Sequence, residues 1–330
     1  MLKKDPETAK AEDDRSIWIL SDGKAGDEIQ CMGVAEALGL PYQIRRVAPR
    51  RPFVWAMPWG PIDPREAETR PGSPLAPPYP DIAIASGRRT VPYLRRLKKL
   101  SGGRTFTVFL KDPRTGTKAA DLIWVGEHDR LRGANVLVTP TAPHRHSAEK
   151  LAAARAQPDP RVGDLPSPRI AVLVGGNSRH HSFTPEDINR FADGLADAAR
   201  AGGSLMITAS RRTPPALNHR LEQLAETGNH FLWDGSGENP LLAMLALADT
   251  IVVTGDSTNM VGEALAAGRP VHVFMPSGGH HRLDRFLTGL RQIGAIHPFP
   301  GPLKTTTCEP LDSTPQIAAA IRDRLASRKA

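Results

Sequence analysis

The stretch ADTIVVTGDSTNMVGEALAAGRPVHVF, residues 248–274, decides the fold. Ile251, Val252 and Val253 form a continuous β-branched run, the composition of a strand buried on both faces of a parallel sheet. Thr254-Gly255-Asp256-Ser257 then turns the chain, and either Asp256 or Ser257 carries the short oxygen-bearing side chain that caps a helix. The helix ends at Gly268, ahead of Pro270 and a second apolar run, so the stretch reads as one strand–helix–strand unit. The first-turn amides of such a helix lack intrahelical acceptors and carry the positive end of its dipole. An anion such as a diphosphate is therefore predicted at Ser257, Thr258 and Asn259. Asn259 and Glu263 are four residues apart and share a face beside the small Gly262, where a carboxylate can accept two ribose hydroxyls; the competing reading of Glu263 is a solvated helix acid.

Working outward, the same alternation of apolar runs and helical segments fills the chain. The first half has predicted strands at 17–20, 42–47, 81–86, 105–110, 121–125 and 136–138, with helices to about residue 38, over 91–100 and over 148–156. The second has strands at 170–174, 204–208, 230–233, 250–253 and 271–274, with helices starting near Pro185, Pro215, Pro240, Ser257 and Arg282. Alternation of this kind predicts an α/β protein of parallel sheets. A Pro-rich aperiodic run separates the halves, giving a polar tail at 1–15, a Rossmann-like domain at 16–157, a linker at 158–168, a second Rossmann-like domain at 169–313 and an amphipathic C-terminal helix at 314–330 able to pack on either domain.

The net charge of +8, supplied mostly by arginines beside turns that follow strands, suits phosphate recognition better than a continuous basic stripe. An aromatic fraction of 5% and the lack of any helix-turn-helix or zinc-finger pattern argue against nucleic acid. Two cysteines, Cys31 and Cys308, offer neither a disulfide framework nor a metal cluster, and no apolar run is long enough to span a bilayer. A cytoplasmic location is expected, with peripheral contact at the inner face of the membrane as its extension.

Ligands of open α/β sheets gather outside the carboxyl ends of the strands, so the loops there are the candidate sites. In the second half these are Gly175, Asn177, Ser178 and Arg179 after one strand, Ser210, Arg211 and Arg212 after another, and the Asp256 turn. Together they read as a diphosphate clamp. In the first half SDGKAGDEIQ places Gly23, Lys24 and Gly26 at a strand-to-helix turn, with Arg88 and Lys111 in two further polar turns forming an acceptor side across an interdomain cleft. The turn lacks both the G-x-x-x-x-G-K-[ST] and the G-x-G-x-x-G spacing. Asp22, Asp27 and Glu28 are candidates for a base that takes a proton from an acceptor hydroxyl; their commoner use is as helix-cap and first-turn acids. No D-x-D pair suited to a nucleotide-bound divalent ion occurs, so neither metal nor cofactor is implied. The paired histidines at 144/146, 180/181 and 280/281 lack helical ligand spacing and read as loop residues.

The motifs SDGKAGDEIQ, ASGRR, FLKDPR, PTAPHR, GGNSRH, TASRRTP and VVTGDSTNMVGEALAAGRPV occur in the order found in a known family. On them the chain resembles the mitochondrial fission proteins of the elongated-mitochondria type and their bacterial relatives, which look like glycosyltransferases of the GT-B fold. The resemblance implies two Rossmann-like domains facing a cleft, a nucleoside-diphosphate sugar held mainly by the second domain, and transfer of the sugar to a lipid-linked or saccharide acceptor. It also implies the alternative of a non-catalytic adaptor that binds a protein partner or an anionic membrane, as in mitochondrial fission. An epimerase is disfavoured because no Tyr-x-x-x-Lys pair is present. Within the Pro-rich segment 48–80, Phe53, Trp55, Met57 and Trp59 next to Arg50 and Arg51 suit a lipid headgroup region or an apolar acceptor, against the simpler expectation of a flap packed on its own domain.

Overall fold

A computed structural model of the chain describes residues 14–328; most of the expected tail at 1–15 lies outside them. The described residues divide into two compact units, 14–145 with 313–328 and 146–312.

The first unit is built on six parallel strands: β1 (Ile17–Ser21), β2 (Tyr42–Arg46), β3 (Ile82–Ser86), β4 (Phe106–Leu110), β5 (Leu122–Gly126) and β6 (Val136–Thr139), in the order β2-β1-β3-β4-β5-β6. Because strand side chains alternate between faces, each apolar run feeds two cores. Ile17, Ile19, Ile82, Ile84 and Val108 pack under the helix Ala25–Leu38 and the C-terminal helix Thr314–Ser327. Trp18, Leu20, Ala83, Ala85 and Phe109 face the helix Val91–Leu100. The C-terminal helix thus belongs to the first unit, fastened through Ile317, Ala318 and Ile321. Where it begins, Ser313 Oγ lies 2.8 Å from Thr141 Oγ1.

The second unit contains β7 (Arg169–Val174), β8 (His181–Ser182), β9 (Ser204–Ala209), β10 (Phe231–Leu232), β11 (Thr250–Thr254), β12 (Val271–Phe274), β13 (Ser277–Gly278) and β14 (Ile296–Phe299). Six of these form a parallel sheet ordered β10-β9-β7-β11-β12-β14, while β8 and β13 pair antiparallel outside it. The edge strand β14 was not expected from sequence. The helix Ala148–Ala156, assigned by sequence to the first domain, packs in the second unit instead: Leu151 joins the core of Leu173, Ile251 and Val253, and Arg155 donates to the carbonyls of Ala246 and Ala267. The boundary moves accordingly, to between residues 145 and 146.

Candidate functional site

Each parallel sheet has one point where the winding reverses, so that loops leaving two adjacent strands diverge and open a crevice at their carboxyl ends. In the second unit that point lies between β7 and β11. The loops there begin with Gly175-Gly176 and with Gly255-Asp256-Ser257, the residues singled out by sequence.

Asp256 organises this crevice from below. Its side chain is fully buried. Oδ1 accepts the Thr254 hydroxyl at 2.6 Å, while Thr254 Oγ1 accepts the Gly175 amide at 2.8 Å. Oδ2 accepts the Gly176 amide at 3.2 Å and lies 3.6 Å from Arg212 Nη2. Both glycines are required by close approach. A Cβ on Gly175 would stand 2.2 Å from Asp256 Oδ1, and one on Gly176 would stand 2.1 Å from the Arg212 backbone. Of the two residues the turn offered as helix cap, Asp256 is not the one, and its carboxylate is engaged within the protein. A buried carboxylate with two donors and a guanidinium around it is satisfied internally. The cap is Ser257, whose Oγ faces the Met260 amide at the start of the helix Thr258–Leu265.

The neighbouring loops are tied to this framework. The Asn177 amide donates to Arg212 O at 3.0 Å and its Oδ1 accepts the Phe183 amide at 2.8 Å, so Asn177 shapes the turn. Ser178 Oγ accepts the amides of His180 and His181, each at 3.1 Å. The Ser210 amide donates to Val174 O at 2.9 Å and its Oγ accepts the Arg212 amide at 3.2 Å. Arg179, Arg211 and Arg212 are exposed. Asn259 and Glu263 sit half-buried on successive turns of the helix Thr258–Leu265.

One constellation was not assembled from sequence. The β8–β13 pairing brings His180 to 4.4 Å from His280, which in turn lies 4.4 Å from His281 (ring centroids). Gly278 makes the pairing possible, with φ +101° and room for no Cβ, which would stand 2.3 Å from His180 O. Loss of hydration, and then the positive surroundings of His180, His281, Arg179 and Arg282, hold the His280 pKa below its ordinary value. Among the described residues no group of three or more His, Cys, Asp or Glu is placed to hold a metal ion. The signal available in the sequence was only the repetition of His-His after two strands.

In the first unit the reversal lies between β1 and β3, where Ser21-Asp22-Gly23 and Ser86-Gly87 leave the sheet. The three acidic candidates separate here. Glu28 Oε1 is 2.7 Å from Arg46 Nη2 and its Oε2 accepts the Ser21 hydroxyl at 2.8 Å; the Arg46 guanidinium holds its carboxyl below the usual range. Asp27 is ion-paired with Lys111. Asp22 has a fully buried side chain whose Oδ2 accepts from Lys24 Nζ at 3.0 Å, while its buried Oδ1 has no hydrogen-bond partner. A Cβ on Gly87 would lie 3.2 Å from that carboxylate. Gly23 has φ +81°, and its amide donates to Ser21 Oγ at 3.0 Å. Lys111 holds a left-handed φ of +97°, a cost of the kind that concentrates at functional loops. Gly26 lies in the first turn of the helix Ala25–Leu38, and Arg88 is exposed with Nη1 3.5 Å from Met57 O.

Comparison with known proteins agrees with this architecture. The family described as mitochondrial fission ELM1 matches residues 25–325. The mitochondrial fission protein ELM1 of Arabidopsis thaliana is 25% identical over 276 residues, 76% of this chain and 65% of that protein. An uncharacterized protein of Rickettsia prowazekii is 32% identical over 112 residues, 32% of this chain and 31% of its own length. Among solved structures, the UDP-GlcNAc 2-epimerase of Neisseria meningitidis bound to UDP-GlcNAc aligns with a TM-score of 0.52 at 12% identity, covering 94% of this chain and 100% of that one. At that identity the likeness concerns the fold alone, and the fold is GT-B-like, with two Rossmann-like units of parallel sheet.

Proposed function

The chain belongs to the mitochondrial fission ELM1 family, and from that premise we propose that it binds a nucleoside-diphosphate sugar at the β7/β11 crevice and transfers the sugar to a lipid-linked or saccharide acceptor. The observation that carries this reading is that the Gly175-Gly176 turn, whose amides are held by Asp256 and Thr254, packs against the Asp256 and Arg212 loops and so gathers three polar, basic loops at the carboxyl end of the β7/β11 strands. Exposed Arg179, Arg211 and Arg212 border it and supply the positive charge that a departing diphosphate needs. The N-terminus of the helix Thr258–Leu265 adds its dipole, and Glu263 has the chemistry to accept ribose hydroxyls. With charge neutralised by arginines and amides, the chemistry calls for no divalent ion.

In the transfer step the acceptor oxygen forms a bond to the anomeric carbon as the bond from that carbon to the diphosphate oxygen breaks. The bonding pair leaves with the diphosphate, and the hydroxyl proton goes to a carboxylate. All three acids are ion-paired, Asp22 with Lys24; we assign the role to Asp22 because its second carboxylate oxygen, Oδ1, is buried without a hydrogen-bond partner.

The test is a thermal-shift screen with UDP, GDP, ADP and their sugars, followed by product analysis with and without acceptor. A nucleotide-dependent rise in melting temperature that Arg211→Ala diminishes supports the site. No rise with any nucleotide overturns it. Nucleotide binding without turnover would favour the adaptor role that the family's name suggests. A new epimer formed without acceptor would show that this fold performs epimerisation here by a route that needs no Tyr-x-x-x-Lys pair.

A further inference from the structure

Within the first unit, the Pro-rich segment between β2 and β3 is fastened from the inside by its acids. Asp63 is buried and pairs with Arg50, its Oδ1 2.8 Å from Nη2 and its Oδ2 accepting the Arg50 amide at 3.0 Å. Glu66 accepts the Tyr93 hydroxyl and, at 2.8 Å, the Ala48 amide. Met57 and Leu75 are fully buried in the core beneath. The segment is therefore a packed flap, as the simpler expectation held, but its outer surface has a different character.

Among the described residues the exposed large hydrophobics include Trp55 at 66% and Trp59 at 68% exposure, both in this one segment. Arg51 lies over the Trp55 ring at 5.5 Å from its centroid. Trp59 borders a hollow of about 420 Å³ whose wall includes Pro61, Ile62, Arg95, Arg96 and Lys99. Arg95, Arg96 and Lys99 all project outward from the helix Val91–Leu100, whose apolar Val91, Leu94 and Leu97 face the core. The acid beside them, Glu68, is paired with Arg96. Acids turned inward and cations turned outward around two exposed indoles make an amphipathic, positively charged surface on a pre-ordered flap.

We infer that this surface docks on an anionic lipid bilayer, with Trp55 and Trp59 entering the headgroup region and Arg51, Arg95 and Lys99 facing lipid phosphates. Indoles favour that depth because one edge is apolar and the other carries an N–H, and basic residues add attraction to anionic lipid. No described helix is long and apolar enough to cross a membrane. The inference is independent of the nucleotide site, which lies in the other unit.

The experiment is flotation of the full chain with vesicles of phosphatidylcholine and phosphatidylserine at 70:30, against phosphatidylcholine alone, read together with tryptophan emission. The wild type should float with the anionic vesicles and show a blue shift. Arg95→Gln with Lys99→Gln should lower partitioning roughly 25-fold, about fivefold per cation removed. Trp55→Ser with Trp59→Ser should remove the blue shift and most of the flotation. Unchanged circular dichroism would show that these exposed substitutions spare the fold. Equal flotation on both vesicle types, no flotation of the wild type, or a tryptophan variant that floats like the wild type overturns the inference.

Discussion

Asp256→Asn tests the organisation of the β7/β11 crevice most directly, because it changes hydrogen-bonding capacity at nearly constant volume. The carboxylate accepts from Thr254 Oγ1 on one oxygen and from the Gly176 amide on the other, with the Arg212 guanidinium alongside. An amide keeps one acceptor. If its oxygen serves Gly176, its NH₂ faces the Thr254 hydroxyl, which already accepts the Gly175 amide and then has nowhere to direct its own proton. One buried group left unsatisfied costs about 1–3 kcal/mol. In a unit the size of residues 146–312 each kcal/mol lowers the melting temperature by roughly 2–4 °C, so a fall of about 2–12 °C is expected. Asp256→Ala, which leaves both donors and a small void, should fall further. Thermal unfolding by circular dichroism, repeated with saturating nucleotide, reads both effects, and the nucleotide-induced rise should shrink as the Gly175-Gly176 turn loosens. A variant with the wild-type melting temperature and an undiminished nucleotide response would refute the role given to Asp256.

Asp22→Asn should leave the nucleotide-induced thermal shift intact while sugar transfer falls about 10²–10⁴-fold, measured as product formed with donor and acceptor together. Gly33→Ala and Gly289→Ala should have opposite signs in thermal unfolding. A Cβ on Gly33 would stand 2.2 Å from the His144 carbonyl oxygen and should cost about 1–3 kcal/mol. Gly289, inside the helix His281–Gln292, has no atom within 4 Å of such a Cβ and should gain about 0.5–1 kcal/mol. Burial pulls the fully buried His272 down to about 4. Between the ordinary imidazole value of about 6.5 and that lower one, the unfolded chain binds a proton that the folded chain refuses. Stability should therefore be complete above about pH 6.5 and decline by about 3 kcal/mol as pH falls toward about 4, a slope that denaturant titration should find flattened in His272→Gln.

Which parts of this molecule could be read from its residues follows from the range over which each signal acts. Runs such as Ile251-Val252-Val253 and Ile82-Ala83-Ile84 declare buried parallel strands locally, so the two α/β units were legible. β14 was not, because His297 and Pro298 interrupt its apolar pattern; an edge position tolerates them, and only the finished sheet reveals that edge. The helix Ala148–Ala156 was visible as a helix, but periodicity does not say which core receives Leu151.

The candidate site divides in the same way. Local chemistry identified the Gly175-Gly176, Ser210–Arg212 and Asp256-Ser257 loops, since glycine and short polar residues after strands are a short-range pattern. It could not assign roles within them: Asp256 serves the Gly175-Gly176 turn, about 80 residues away, from inside, which leaves Ser257 to cap the helix. Asp22, Asp27 and Glu28 look alike in a turn that follows a strand. Only the fold separates them, by giving Glu28 to Arg46 and Asp27 to Lys111 and leaving one buried oxygen of Asp22 without a partner. An unsatisfied buried carboxylate oxygen is costly to maintain. Under the proposed transfer that oxygen is where the acceptor hydroxyl would donate, and Asp22→Asn, which removes a basic carboxylate at nearly constant volume, tests it.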